Sequence, residues 1–144
     1  MRIYDLINNQ DTYRAEGTQT VFEVVQAMVA RNIGAVPVLR DGQLVGIFSE
    51  RDLMKRVVAE ARDPRTTRLE EVMTEDPLAV CPTETPANCM LLMRHHGFRH
   101  LPICDGKRLL GVISLRDLLL HDLTEQDYEV RMMRAYIQAT PEVT

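Results

Sequence analysis

The sequence predicts an α/β (α+β) fold made of two β-α-β-β-α units packed with pseudo-twofold symmetry. Three observations predict it. Gly46-Ile47-Phe48-Ser49-Glu50-Arg51-Asp52 returns sixty-five residues later as Gly111-Val112-Ile113-Ser114-Leu115-Arg116-Asp117. With residues 20–54 shifted by sixty-five, nine of thirty-five positions are identical and no gap is needed. In both copies a helix-spaced apolar stripe precedes two apolar strand runs that flank an Asp-Gly turn.

Ile3 to Asn8 reads as a short helix, and Leu69 to Thr74 is its counterpart. Tyr13 to Ala15 and Leu78 to Cys81 read as short first strands. A helix is predicted over Val21 to Arg31. Thr20 is its N-cap and Glu23 completes a Thr-x-x-Glu capping box. Val21, Val24, Val25, Met28 and Val29 form one apolar stripe. In the second copy Thr85 caps, Pro86 takes the first helical position, and Cys89, Met90, Leu92 and Met93 supply the apolar face. Residues 35–39 and 44–48 flank Asp41-Gly42, a hairpin signal, and residues 100–103 and 109–113 flank Asp105-Gly106 in the same way. Helices follow both hairpins; Leu53, Met54, Val57, Val58 and Ala61 make the stripe of the first. A last helix is expected to start at Thr124, with Val130, Met133, Tyr136 and Ile137 on one face and no counterpart in the first half. The polar run from Ala61 to Arg68 contains Pro64 and reads as a linker. The division expected is 2–62 for the first repeat, 63–68 for the linker, 69–123 for the second repeat and 124–144 for the C-terminal helix and tail. A half of about sixty residues buries little core alone, so the halves are expected to fold against each other.

With 45% apolar residues, the chain can bury a core. A net charge of −4 argues against a nucleic-acid binder driven by phosphate attraction. No apolar run approaches the ~20 residues of a membrane span. Met1 to Asp5 lacks a signal-peptide stretch, so a cytoplasmic location is expected. Cys81, Cys89 and Cys104 have no C-x-x-C spacing and read as free thiols. His95, His96 and His100 do not share a helix face, because Gly97 intervenes; no metal site is expected.

The two strand-to-helix junctions carry the chemistry. A helix N-terminus attracts anions. Ser49 or Ser114 adds a hydroxyl, and Arg51 or Arg116 adds a planar fork matched to phosphate. Asp52 or Asp117 is an acceptor that can hold two ribose hydroxyls. Together these describe a nucleotide site. Ser-x-x-Asp is also a capping box. The preceding Gly and the repeated Arg, which a cap does not need, favour a ligand at one junction or both.

These residues carry a resemblance to the cystathionine-β-synthase (CBS) domain family, as a tandem pair over about residues 2–123. They are Asn32-Ile33-Gly34-Ala35-Val36-Pro37-Val38 with the first junction, and Phe98-Arg99-His100-Leu101-Pro102-Ile103 with the second. Thr67 to Thr74 is similar to the family's lead-in to its second repeat. The resemblance implies an adenosine-containing ligand (AMP, ADP, ATP, NAD or S-adenosylmethionine) in the cleft between the halves. It also implies pockets shared across repeats. One combines Ser114, Arg116 and Asp117 with Thr20, Ile33 and Gly34; the other combines Ser49, Arg51 and Asp52 with Thr85, Phe98 and Arg99. Thr20 and Thr85 read equally well as ordinary N-caps, and Arg99 as a solvated surface residue.

The function this implies is a regulatory module that senses an adenine nucleotide and signals to a partner, as a homodimer. No nucleophile–base pair, P-loop or metal-binding carboxylate cluster suggests an enzyme. The alternative is a ligand-free interaction scaffold in which both junctions are only caps. A nucleotide hydrolase is the remaining reading.

Overall fold

The computed structural model describes residues 1–139, without the side chains of 123–125, 138 and 139. The expected tail at 140–144 lies outside the described residues. The elements are α1 (Tyr4–Ile7), β1 (Ala15–Glu16), α2 (Val21–Arg31), β2 (Ala35–Arg40), β3 (Gln43–Ser49), α3 (Glu50–Asp52), α4 (Leu69–Val72), β4 (Thr74–Glu75), α5 (Pro86–His96), β5 (His100–Asp105), β6 (Arg108–Ser114) and α6 (Leu115–Ala139). A π-wound segment, Leu53–Val58, continues α3.

The repeat survives in the register. Val38 pairs with Gly46 and a bulge follows; sixty-five residues on, Ile103 pairs with Gly111 and a bulge follows. The turns differ. Asp41 and Gly42 both take left-handed backbone, as a type I′ turn needs. The matching loop is Gly106-Lys107 rather than Asp105-Gly106, with Gly106 left-handed (φ 64°), the pattern of a type II′ turn.

The strand order is β1-β2-β3-β6-β5, with β4 pairing to β3. The hairpins join at one rung, Gln43 to Arg108, reinforced by the Leu44 N–H donating to the Lys107 carbonyl at 3.0 Å. The expected strand from Tyr13 begins at Ala15, and that from Leu78 shrinks to a bridge between Val80 and Ile103.

The two repeats exchange their lead-in helices. Ile3 and Ile7, from α1 and the residue before it, are buried with Leu101, Ile103 and Ile113 of the second repeat. Leu69 and Val72 of α4 are buried with Val24, Val38 and Phe48 of the first. Backbone bonds seal both crossings: Ile3 N–H to Glu84 O at 2.7 Å, and Leu69 N–H to Gln19 O at 2.9 Å. Each such buried aliphatic side chain contributes about 1.5–3 kcal/mol. The linker is also built in, since the Val21 and Phe22 N–H groups donate to Thr67 O and Pro64 O.

The exchange explains Gly46 and Gly111. A Cβ on Gly46 would lie 2.5 Å from Met73 Sδ and 3.0 Å from the Thr74 carbonyl oxygen. A Cβ on Gly111 would lie 2.8 Å from Gln10 Oε1 and 2.9 Å from Ile7 Cδ1. The glycine counted above toward a ligand site is therefore required by packing. Beside Gly46, β4 pairs with β3 through its backbone, Thr74 opposite Ile47. Beside Gly111, the Gln10 carboxamide does the same work: it donates to Val112 O at 2.9 Å and accepts from Val112 N–H at 3.0 Å.

Three helices depart from expectation. In α2, Val21, Val24 and Met28 are buried but Val29 is exposed. After α3 the chain winds in i→i+5 steps, with Ala59 N–H to Met54 O at 3.0 Å and Arg62 N–H to Val57 O at 2.9 Å. Wider turns bury Val57 and leave Met54 and Val58 exposed. No new helix starts at Thr124: α6 runs unbroken from Leu115, because nothing in residues 115–123 stops a helix once Ser114 has capped it.

Two stability predictions follow from the crossings. Gly46→Ala should lower stability by about 1–3 kcal/mol, because the Thr74 backbone cannot yield. Gln10→Ala should cost about 1–3 kcal/mol by orphaning the Val112 N–H. Urea melts with unchanged slope would register both as lower midpoints.

Candidate functional site

Both junctions fold as capping boxes. Asp52 N–H donates to Ser49 Oγ at 3.3 Å, and Asp52 Oδ2 accepts from Ser49 N–H at 3.0 Å. Asp117 N–H donates to Ser114 Oγ and Asp117 Oδ2 accepts from Ser114 N–H, both at 3.0 Å. Each helix's first N–H is taken by its own repeat: Glu50 N–H donates to Gly34 O at 3.0 Å, and Leu115 N–H to Arg99 O at 2.7 Å.

The junctions differ in what surrounds the aspartate. Asp52 is 7% exposed. Its carboxylate also accepts from Ser49 Oγ at 3.1 Å and Thr74 Oγ1 at 3.2 Å, with Arg56 Nε at 3.6 Å. Asp117 is exposed and lines a cleft of about 1350 Å³ between the repeats.

That cleft gathers Ser114, Arg116 and Asp117 with Ile33 and Gly34 of the first repeat. Asn32 positions the last two. Its left-handed backbone (φ 53°) ends α2, and the chain turns into β2 beside the second junction. Arg99, grouped above with the first junction, also lines this cleft. Thr20, Ser49, Arg51, Asp52, Thr85 and Phe98 are not among its lining residues. Thr20 and Thr85 accept from the N–H groups of Glu23 and Asn88, both at 3.2 Å, as N-caps. The Phe98 ring stacks on His96, centroids 5.1 Å apart.

Other lining residues escaped the sequence reading: the segment 10–13, Glu50 and His100. Segment 10–13 carries no spacing signal; it is brought there by the α1 crossing. Tyr13 in it lies 5.0 Å beneath the Arg31 guanidinium. Glu50 had a signal, since it stands where the second copy has Leu115. Its Oε1 sits where a Cβ on Gly34 would come within 2.6 Å. Burial lowers the His100 pKa, the Asp117 and Glu50 carboxylates oppose that shift, and Arg99 adds to it. The cleft thus offers three guanidinium groups, of Arg31, Arg99 and Arg116, and three carboxylates, of Asp11, Glu50 and Asp117, with an imidazole among them that burial holds toward its neutral form.

Burial also pushes the Cys89 thiol up to about 11, with Glu84 adding to the effect. Among the described residues no helix is long and apolar enough to cross a membrane.

A model of the CBS domain matches residues 7–59 and 69–123. The mitochondrial CBS domain-containing protein CBSX3 of Arabidopsis thaliana is 31% identical over 124 residues, which cover 83% of this chain and 60% of that protein. This chain therefore spans less than two thirds of that relative. A solved CBS-domain protein of Burkholderia ambifaria MC40-6 superposes with a TM-score of 0.81 at 31% identity, covering 88% of this chain and 96% of its own. CBSX2, solved in complex with AMP, shares the fold at 20% identity and a TM-score of 0.74, covering 87% of this chain and 98% of its own. The chain belongs to the CBS domain family and carries two of its repeats.

Proposed function

We propose that this chain is a regulatory module that binds an adenine nucleotide, of the AMP, ADP, ATP or NAD class, in the cleft between its repeats. Occupancy would be passed to a partner by shifting the population of arrangements of the two halves. The reading includes a homodimer and a cytoplasmic location, and it assigns no catalysis. The observation that carries it is the convergence of Ser114, Arg116 and Asp117 with Ile33 and Gly34 across the repeats.

The roles follow from the chemistry. Arg116 and Arg99 face phosphate as planar forks. Asp117 accepts from the ribose hydroxyls. The backbone at Ile33 and Gly34 reads the adenine edge. The AMP complex of CBSX2 supports the ligand class through a shared fold. Ser49, Arg51 and Asp52 form the weaker candidate, because the Asp52 carboxylate already holds Ser49, Thr74 and Arg56. Thr85 and Phe98 go with that first junction.

A ligand-free interaction scaffold is the competing reading, favoured by the capping boxes at both junctions. A thermal-shift panel with AMP, ADP, ATP and NAD separates the two. A ligand at a hundred times its dissociation constant should stabilise by about 2.7 kcal/mol. Asp117→Ala should abolish that shift while costing the free protein about 1 kcal/mol as a lost cap. Asp52→Ala should keep the shift and cost the free protein about 1–3 kcal/mol, since the half-buried Ser49 and Thr74 lose their acceptor. No shift with any nucleotide would leave the scaffold reading.

A further inference from the structure

Two of the three cysteines stand side by side on neighbouring stretches of extended chain. The Val80 N–H donates to Pro102 O at 3.0 Å, and the Cys104 N–H donates to Val80 O at 2.9 Å. Those bonds make Val80 the parallel partner of Ile103. The next rung along both stretches is Cys81 beside Cys104. The first repeat shows the same rung in place: sixty-five residues earlier, Ala15 pairs with Val38 and Glu16 with Leu39. Cys81 and Cys104 hold the positions of Glu16 and Leu39.

Side-chain alternation turns both sulfurs to one face. Val80 and Ile103 are buried together on one side of β5. Cys104 points to the other side, into the cluster of Leu39 and Leu109, where Ala79 also packs. Cys81 lies two residues beyond Ala79 and precedes Pro82, which favours extended backbone, so it faces the same way. Neighbouring strands lie about 4.8 Å apart. That is inside the Cα···Cα range of about 4.4–6.8 Å that a disulfide spans. Cys81 is exposed and Cys104 is buried. Burial raises the Cys104 thiol above its ordinary pKa, and the charge of the nearby Cys81 adds to the rise. Cys89 sits on the opposite face of β5, buried with Val80 and Ile103.

The chain just after Cys81 receives the first lead-in. The Glu84 N–H donates to Cys81 O at 3.1 Å and closes a turn. Onto that turn the Ile3 N–H donates to Glu84 O at 2.7 Å and the Tyr4 N–H to Pro82 O at 3.2 Å. Arg2 Nη1 donates to Thr83 O at 3.2 Å. We propose that Cys81 and Cys104 are the two halves of an intramolecular disulfide site that, when oxidised, fastens this turn to β5 and braces the α1 crossing. In a reducing compartment such a pair rests open and closes under oxidant.

Glutathione disulfide is a sufficient oxidant. The exposed Cys81 thiolate attacks one of its sulfurs and releases the first glutathione. The Cys104 thiolate then attacks Cys81 Sγ in the mixed disulfide and releases the second. The protein thiols give up two electrons and two protons, which leave on two glutathione molecules. The site rests on none of the nucleotide assignment and is tested without ligand.

The reduced chain, treated with glutathione disulfide and then unfolded, should show one free thiol in place of three. Peptide mass spectrometry should find Cys81 linked to Cys104 within one chain. Cys104→Ala should instead keep glutathione on Cys81, and Cys81→Ser should keep both remaining thiols. Hydrogen exchange at the Ile3 and Tyr4 amides should slow in the oxidised protein and stay unchanged in treated Cys81→Ser. Stable glutathione on Cys81 of the unaltered chain, with Cys104 free, would overturn the proposal. So would a bridge to Cys89 or to a second chain, or a Cys81–Cys104 bond that leaves the Ile3 and Tyr4 exchange as it was.

Discussion

Each repeat depends on a lead-in segment supplied from outside it. Ile3 and Ile7 complete the second core, and Leu69 and Val72 complete the first. Neither half contains enough apolar surface to close its own core, so the exchange makes two small units one cooperative body. It is sterically possible because Gly46 and Gly111 have no side chain where the segments cross. Any bulk there meets Met73 and Thr74 on one side, or Ile7 and Gln10 on the other.

The same crossing creates the cleft. By carrying α1 over to the second repeat, the chain draws residues 10–13 past the mouth between the halves. By carrying β4 along β3, it brings Thr74 onto Asp52 and buries that carboxylate. Two junctions that read alike in sequence therefore meet opposite environments. One aspartate is a buried hub of hydrogen bonds, and its twin is exposed on a cleft lined by three arginines. The duplicated motif sets what each junction can do; the neighbours supplied by the exchange decide which one stays accessible.

The hairpins and the two eleven-residue helices were legible because their signals are local: caps at Thr20 and Thr85, a turn at Asp41-Gly42, and apolar residues at fixed spacing. The π-wound segment after Asp52 was not legible, since its apolar spacing fits an ordinary helix. The continuity of α6 was missed for a related reason. Thr124 with Asp127 imitates a cap, and a cap signal inside an uninterrupted helix has no effect.

By itself the sequence determined the repeat, the order of its elements and the capping residues at each junction. These follow from residue identity and short-range spacing. Only the tertiary structure decided that the lead-ins exchange, that Arg99 joins the Ser114 side and that Asp52 is buried while Asp117 is not. Those outcomes depend on contacts between residues far apart in the chain, such as Gln10 with Val112 and Asp52 with Thr74. A periodic pattern reports which face of an element is apolar. It carries no information on which partner will cover that face.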